Sequence, residues 1–201
     1  MNNFEFEHEG QKLWYSRSLA CSLVVMRYDD THDWRETDYN SLEVLVTKRG
    51  QGCEYNKGKW NIPGGFIDFN ETAAQCAIRE LFEETGIKVP EDKVNFVCLN
   101  TNPGGARQTM AATFYALLPK EETLDWKFTT EFSEPGETEE IRWMHIEDIA
   151  CQNKKDWTRG QIENIALATM KASGIFDKLG ISNPLKHMIY SIDNKHNGID
   201  F

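Results

Sequence analysis

The stretch Gly65–Ile87 reads GFIDFNETAAQCAIRELFEETGI and predicts one helix set between two loops. Thr72 is a candidate N-cap because Gln75, three residues later, can complete a capping box, and Asn70 is an alternative N-cap. Gly86 suits the left-handed position that follows a last helical turn. The apolar residues between these ends recur at helical spacing: Ala74, Ala77, Ile78 and Leu81. We therefore predict an amphipathic helix that buries this apolar stripe.

The same helix carries a group of like charges. Glu80, Glu83 and Glu84 stand at positions i, i+3 and i+4, which places them together on the face away from the apolar stripe. Like charges at this spacing repel, and the helix dipole disfavours them in the last turns. Arg79 is the cation beside them. Two interpretations stay open: a solvated acidic face, or a site where hard oxygen ligands hold Mg²⁺ or Mn²⁺.

The spacing of these charges and of two glycines resembles a known motif. Gly65 is followed after five residues by Glu71, and after seven more by Arg79–Ile87, which reads RELFEETGI. This pattern is similar at every fixed position to the Nudix box, G-x5-E-x7-R-E-U-x-E-E-x-G-U, in which U is apolar. The preceding residues 60–64, WNIPG, resemble the usual approach to that box. The chain is therefore identified as a member of the Nudix hydrolase superfamily.

The resemblance implies an α+β fold, a Nudix-type α/β/α sandwich with a mixed β-sheet and a catalytic loop–helix–loop. The residues themselves predict strands, one central helix, more strands and a final helix. We expect strands at 19–26, 42–47, 60–62, 94–99, 110–118 and 141–146, and a helix around 162–170. One domain is expected over 1–172, with its core at about 16–172, followed by a tail of unassigned role over 173–201.

The resemblance also implies metal-dependent hydrolysis of a nucleoside diphosphate linked to another group, with Mg²⁺ or Mn²⁺ as the cofactor. The metal ligands of the family correspond here to four residues: Gly64 through its carbonyl, and Glu80, Glu83 and Glu84 through their carboxylates. Arg79 is expected to orient a metal-binding glutamate, in the first place Glu83, and Glu71 to hold Arg79. Gly65 and Gly86 are expected as turn residues.

The general base is expected in the loop ahead of a late strand, as in many members of the family. That loop is 133–140 here, and Glu137, beside a glycine, is the first candidate. The alternatives in the same loop are Glu139, Glu140 and Glu134. Glu80 is a further alternative, because some relatives take the base from the box. Each loop glutamate can equally be a solvated surface residue.

The substrate is inferred from one proline. Pro103 lies 16 residues beyond Ile87, a spacing that resembles the ADP-ribose pyrophosphatase subgroup, so we expect ADP-ribose to be cleaved to AMP and ribose 5-phosphate. Arg49 and Arg107 are candidates to meet a phosphate. The alternatives are NAD-type, dinucleoside polyphosphate or capped-RNA substrates, and a non-catalytic ADP-ribose-sensing module. Aromatic residues that could stack on adenine, or simply pack in the core, are Trp14, Phe66, Phe114 and Tyr115.

Composition sets the remaining limits. The 201 residues include 22 Lys and Arg against 32 Asp and Glu, a net charge of −10 that disfavours nucleic acid and anionic membranes as partners. Five scattered cysteines and an N-terminus without a signal-peptide pattern predict a soluble cytoplasmic protein, and no apolar run is long enough to span a membrane. Many ADP-ribose-hydrolysing relatives are homodimers, which makes 4–15 or the tail a candidate dimer contact.

Overall fold

The fold is described from a computed structural model that covers residues 4–15, 18–29, 42–101 and 109–175. Its strands are β1 (Phe4–His8), β2 (Gln11–Tyr15), β3 (Leu19–Tyr28), β4 (Glu43–Arg49), β5 (Trp60–Asn61), β6 (Gly64–Phe66), β7 (Asn95–Asn100), β8 (Met110–Pro119) and β9 (Thr138–His145). Its α-helices are α1 (Ala73–Thr85), α2 (Ile146–Cys151) and α3 (Gln161–Ala172). None of the helices in these ranges is long and apolar enough to cross a membrane.

One mixed sheet organises the described part of the chain. The strands β5, β4, β3, β8 and β7 lie side by side, while β6 also pairs with β3 and β9 with β4. The pairing of β3 with β8 is parallel over ten residue pairs, and the other pairings of this sheet are antiparallel. The strands β1 and β2 form a separate antiparallel hairpin that the sequence analysis did not anticipate.

Helices cover both faces of this sheet. Alternate residues of β3 face opposite sides, so Leu23 packs in the cluster that contains Leu81 of α1, and Val24 packs in the cluster that contains Ile165 of α3. The predicted α/β/α sandwich is therefore present. Because both faces are covered, Leu42 and residues 43–47 of β4 are buried, including the polar Glu43 and Thr47.

The helix α1 begins and ends where the sequence predicts. Thr72 is its N-cap, and the capping box with Gln75 is complete in both directions. Asn70, the alternative cap, instead has a positive φ of 65° in the loop before the helix. Gly86 closes the helix in the left-handed conformation, with its N–H bonded to the carbonyl of Phe82. This cap geometry fixes the direction in which the glutamates of the helix project.

Two further features differ from the sequence-based expectation. The last strand is Thr138–His145, and Ile146, which we had placed in it, begins the short helix α2 instead. The strand β6 was not predicted, because its sequence is mostly glycine and carries no alternating pattern. The segments 30–41 and 176–201, the second of which includes nearly all of the tail, lie outside the described residues.

Candidate active site

The carboxylate of Glu84 lies inside the protein, between α1 and the sheet. Glu84 is only 4% exposed. Its Oε1 accepts a hydrogen bond from the Gly64 N–H at 3.1 Å, and its Oε2 accepts one from the Thr47 hydroxyl at 3.0 Å. Helical spacing predicts all three glutamates on the face away from the apolar stripe, which is wrong for Glu84. The physical reason is that Thr47 of β4 and Gly64 of β6 lie against this part of the helix and supply two polar donors for the carboxylate.

Burial raises the pKa of two of the box carboxylates, Glu84 and Glu80. Removal from water raises the pKa of Glu84 to about 8, and the charges of Glu137 and Glu80 act in the same direction against the two hydrogen bonds. Burial is also the main cause that raises the pKa of Glu80, in part opposed by its hydrogen bond from Arg79. A bound cation would remove this electrostatic cost.

Arg79 gathers the other acidic residues around one guanidinium group. Its Nε and Nη2 donate to the two oxygens of Glu71 at 3.1 and 2.8 Å. Its Nη1 donates to Glu80 at 2.7 Å and to Glu83 at 2.9 Å, and its Nη2 also reaches the carbonyl of Phe66 at 2.9 Å. The contact of Glu71 with Arg79 is the one expected from the motif. The contact with Glu80 was not expected, since Arg79 was assigned mainly to Glu83.

Two adjacent glycines let the loop approach the helix closely. A Cβ on Gly64 would collide with the backbone of Cys21 and Ser22, and a Cβ on Gly65 would collide with the carboxylate of Glu80. Gly65 was expected as a turn residue, but it lies in β6 and has no positive φ; among the box glycines only Gly86 does, at 76°. Gly65 must lack a side chain because the carboxylate of Glu80 packs against it.

The loop before β9 brings a further carboxylate to this group. The carbonyls of Gly136 and Glu137 accept hydrogen bonds from the N–H groups of Gly52 and Gly50 at 2.8 and 2.6 Å, which anchors the loop next to the end of β4. The Ser133 hydroxyl donates to Oε2 of Glu137 at 3.0 Å, and the charge of Glu137 raises the pKa of both Glu84 and Glu80.

The other glutamates of that loop take different partners. Glu139 pairs with Lys48 at 3.3 Å, and Glu140 pairs with Arg142 at 3.5 Å. Glu134 contributes its backbone carbonyl, which accepts from the N–H of Glu137 at 3.0 Å. The structure thus favours Glu137, the first candidate, as the loop carboxylate that acts on the helix. Its role as the base remains a prediction.

The oxygen ligands of this group are of the type that a hard divalent cation prefers, but in the described residues they do not converge on one position. Across the described ranges, no three His, Cys, Asp or Glu side chains converge as a bound metal would require. The reason is visible in the contacts, since Glu80 and Glu83 turn to Arg79 while Glu84 turns to Thr47 and Gly64. The donor set fits because it consists of carboxylates, and because burial raises the pKa of Glu80 and Glu84, a cost that a cation would offset.

The predicted substrate residues are only partly described. Arg49 ends β4, its Nε donates to the carbonyl of Tyr55 at 3.1 Å, and the next residue, Gly50, is the one bonded to the Glu137 loop. Arg49 therefore lies at the edge of the acidic group. Pro103 and Arg107, on which the ADP-ribose hypothesis depends, lie outside the described residues.

The aromatic candidates for an adenine platform divide by burial. Phe66 is 47% exposed, and its backbone carbonyl accepts a hydrogen bond from Arg79, so the residue lies at the surface next to Arg79. Phe114 is buried and packs edge-on against Phe96 at 5.6 Å, and Tyr115 packs against the core. The side chain of Trp14 is not described. Phe66 is the candidate that the structure leaves available.

Two polar residues of the site were missed in the sequence. Thr47 holds Glu84, and Asn61 lies opposite Thr47 in the pairing of β4 with β5. Neither belongs to the motif, and threonine in a strand carries no functional signal by itself. The available hint was Asn61 itself, because a polar amide stands between Trp60 and Ile62, two apolar residues that both prove to be buried.

Comparison with known proteins places this arrangement in a family. Residues 34–166 match the family model described as NUDIX domain. The mouse bis(5'-nucleosyl)-tetraphosphatase [asymmetrical] is 28% identical over 141 residues, which are 66% of this chain and 82% of that protein. The human nucleoside diphosphate-linked moiety X motif 6 is 33% identical over 146 residues, which are 72% of this chain but only 42% of that protein.

A solved structure shows the same fold. The NUDIX domain of Shewanella oneidensis NrtR, complexed with ADP ribose, superposes with a TM-score of 0.60 at 20% sequence identity. The match covers 79% of this chain and 90% of that domain. At this identity the likeness concerns the fold alone.

Proposed function

The chain belongs to the NUDIX family and is a hydrolase of phosphorus anhydrides, and on this premise we propose that it cleaves ADP-ribose to AMP and ribose 5-phosphate with Mg²⁺, or Mn²⁺, as the cofactor. The observation that carries the proposal is the concentration of carboxylates on one end of α1. Glu80, Glu83 and Glu84 lie there, and Glu137 is brought to them by a loop that is distant in sequence.

In the proposed site the three glutamates of α1 hold the divalent cation, together with the carbonyl of Gly64. When bound, such a cation neutralises phosphate charge and lowers the pKa of a water molecule. Glu137 then accepts a proton from the attacking water, which fits its position in an anchored loop facing Glu84 and Glu80. Arg79 keeps Glu80 and Glu83 in place, because its guanidinium is itself fixed by Glu71.

The net charge of −10 is compatible with an anionic substrate in this arrangement. A bound cation would supply positive charge to both the protein carboxylates and the phosphates of the substrate and so would reduce their mutual repulsion. Arg49 lies at the rim of the site and is proposed to meet a phosphate. Phe66 is proposed to offer an exposed ring to the adenine.

The choice of ADP-ribose is supported by the spacing of Pro103 from the box. A second candidate is a dinucleoside polyphosphate, and it is supported by the similarity to the mouse tetraphosphatase, which extends over 82% of that enzyme. A substrate panel distinguishes the further outcomes, which are hydrolysis of NAD-type substrates, hydrolysis of capped RNA and binding of ADP-ribose without turnover.

The experiment is a product analysis with purified protein and Mg²⁺. ADP-ribose, diadenosine tetraphosphate, NADH and a capped RNA are offered at equal concentration, and products are separated by ion-exchange chromatography. We expect AMP and ribose 5-phosphate from ADP-ribose at the highest kcat/KM. A higher kcat/KM for diadenosine tetraphosphate would replace the first candidate by the second.

Two variants and a control connect the activity to the helix. Glu83→Gln and Glu84→Gln are expected to lose most of the turnover while remaining folded. The control is Glu147→Gln, since Glu147 is exposed on α2, on the other side of the sheet. Turnover that persists in both α1 variants would overturn the assignment of the metal ligands.

We also propose that the protein is cytoplasmic. A homodimer is a further prediction. All five cysteines are unpaired thiols, and four of them are buried, which suits a reducing compartment. Light scattering on the purified full chain measures the oligomeric state, and a mass of one chain would contradict the dimer.

A further inference from the structure

The buried amide oxygen of Asn61 accepts no hydrogen bond from the described part of the chain. The residue is 5% exposed, and its Oδ1 has no hydrogen-bond partner among the residues that the structure describes. An unsatisfied buried acceptor typically costs about 1–3 kcal/mol of stability, whereas an apolar side chain of the same size at such a position is neutral or stabilising. The amide at this position therefore points to a binding partner other than the described protein groups.

The position of Asn61 in the sheet places this amide under the acidic group. Asn61 lies directly opposite Thr47 in the antiparallel pairing of β4 with β5. Residues that are paired in this way project to the same face, with Cβ atoms about 5 Å apart. Thr47 projects toward α1, because its hydroxyl donates to the carboxylate of Glu84. Asn61 therefore belongs to the same buried layer as Glu84.

The neighbours of Asn61 support this placement. Trp60 and Ile62 belong to the hydrophobic cluster on the other face of the sheet, the one that contains α3. Since side chains alternate along a strand, Asn61 faces α1. Three residues later, the N–H of Gly64 donates to the second oxygen of Glu84. The carboxylate of Glu84 is thus held by the residue opposite Asn61 and by one that follows it in the chain.

The Oδ1 atom of Asn61 can bind only a hydrogen-bond donor or a cation, because an amide oxygen is an acceptor. An amide oxygen accepts hydrogen bonds or binds a hard cation, and it is among the oxygen donors that divalent cations take in proteins. The Thr47 hydroxyl cannot serve, because its hydrogen is donated to Glu84. Within the described residues, the Asn61 oxygen has no donor, and the Glu84 carboxylate has two hydrogen bonds but no basic side chain paired with it. One divalent cation, directly or through its bound water, would satisfy both groups.

We propose that Asn61 is an additional oxygen donor of the divalent-cation site, through its Oδ1, toward the cation or toward one of its water ligands. The inference rests on the proposed function, because it assumes the cation site on α1. Asn61 acts in this proposal as a cation-binding residue beside Glu84. The amide adds an acceptor without adding another negative charge to a group that already holds four carboxylates.

Calorimetry with Mn²⁺ alone, on the full chain without substrate, tests the proposal. Asn61→Leu removes the oxygen and keeps the size of the side chain, and Asn61→Asp keeps an oxygen at the same place. We expect Asn61→Leu to weaken Mn²⁺ binding about 10- to 100-fold, the usual effect of removing such a supporting group. Asn61→Asp should bind Mn²⁺ at least as tightly as the wild type. Asn95→Ala, at an exposed position in β7, is the control and should bind normally.

Unfolding by urea in the presence of EDTA separates this role from a structural one. Asn61→Leu should leave the free energy of unfolding of the metal-free protein unchanged or higher, since it removes an unsatisfied acceptor. A destabilised leucine variant with the wild-type Kd for Mn²⁺ would show that the amide is structural and would overturn the proposal. If the leucine variant does not fold, Asn61→Ala is judged by the same Kd criterion.

The two proposals fail in different ways. Wild-type protein that binds no Mn²⁺ and hydrolyses nothing in the substrate panel overturns the proposed function together with this inference. Wild-type protein that binds Mn²⁺ and hydrolyses ADP-ribose, with Asn61→Leu binding Mn²⁺ equally well, overturns only the role of Asn61.

Discussion

Arg79 and Glu71 are joined by two hydrogen bonds, from Nε to Oε2 at 3.1 Å and from Nη2 to Oε1 at 2.8 Å. This geometry uses the planar fork of the guanidinium, which a lysine cannot reproduce. The pair keeps the pKa of Glu71 at about 2, chiefly through the hydrogen bonds from Arg79, so the carboxylate stays charged at neutral pH. The remaining nitrogen of Arg79 is then directed to Glu80 and Glu83.

Replacing Arg79 by lysine should therefore reduce both stability and activity. We expect Arg79→Lys to lower the free energy of unfolding by roughly 1–3 kcal/mol, the usual effect of losing hydrogen bonds between charged groups, and hydrolysis to fall at least tenfold. Urea unfolding and kcat/KM measure the two effects. Arg142→Lys, at an exposed position in β9, is the matched control. A variant with unchanged kcat/KM would show that Arg79 does not position the glutamates.

The two glycines before α1 should respond differently to alanine. In Gly65→Ala the new Cβ meets only the end of the Glu80 side chain, which can rotate away, so stability should change by less than about 1 kcal/mol. Glu80 would be displaced, however, and hydrolysis should fall at least tenfold. In Gly64→Ala the Cβ meets the backbone of β3, which cannot move aside without disturbing the sheet.

Thermal unfolding and kcat/KM of both variants test this contrast. Gly64→Ala should unfold at a clearly lower temperature than the wild type, whereas Gly65→Ala should unfold close to the wild-type temperature. Loss of stability in Gly65→Ala with retained activity would be the opposite result and would contradict the contact with Glu80.

Glu137 and Glu139 provide a test of the general base within one loop. Glu137→Gln keeps the hydrogen bond from Ser133 possible but removes the basic carboxylate, so kcat should fall by about 10²- to 10⁴-fold. Glu139→Gln removes an exposed ion pair with Lys48 and should leave kcat within a factor of two to three of the wild type. Single-turnover kinetics with saturating Mg²⁺ measure the chemical step. Equal rates in the two variants would remove Glu137 from the mechanism.

The buried Glu84 makes the stability of the metal-free protein depend on pH. Burial raises its pKa from an ordinary 4.5 to about 8, so the folded state keeps a proton that the unfolded state has released within this range. This contribution to stability is complete below pH 4.5 and is lost as the pH rises toward and through 8. In EDTA the free energy of unfolding should therefore decrease with rising pH more steeply in the wild type than in Glu84→Gln.

Urea unfolding between pH 5 and pH 8.5 measures this slope, and the difference between the two proteins isolates Glu84 from the other titrating groups. Addition of Mg²⁺ should flatten the slope of the wild type, because a bound cation stabilises the charged carboxylate. Parallel curves for wild type and Glu84→Gln in EDTA would mean that Glu84 is ionised without metal.

Features of this protein that depend on short-range interactions can be predicted from its residues alone. The helix with its Thr72 cap, its Gln75 partner and its Gly86 terminus follows from contacts within four residues, and these are present as predicted. The family follows from a motif of fixed spacing within one continuous segment, and the comparison with known proteins confirms it. Buried strands such as β3 and β8 were visible because covered sheets require continuous apolar runs.

The relation of the site residues to the sheet becomes visible only in the folded chain. Helical spacing predicted one common face for the glutamates, yet Glu84 is buried because Thr47 and Gly64, from two different strands, supply its hydrogen bonds. Asn61 joins this layer through its pairing with Thr47, 14 residues away in sequence. Such cross-strand contacts depend on register and sheet order, which local spacing does not encode, because they arise only when distant strands pack into one sheet.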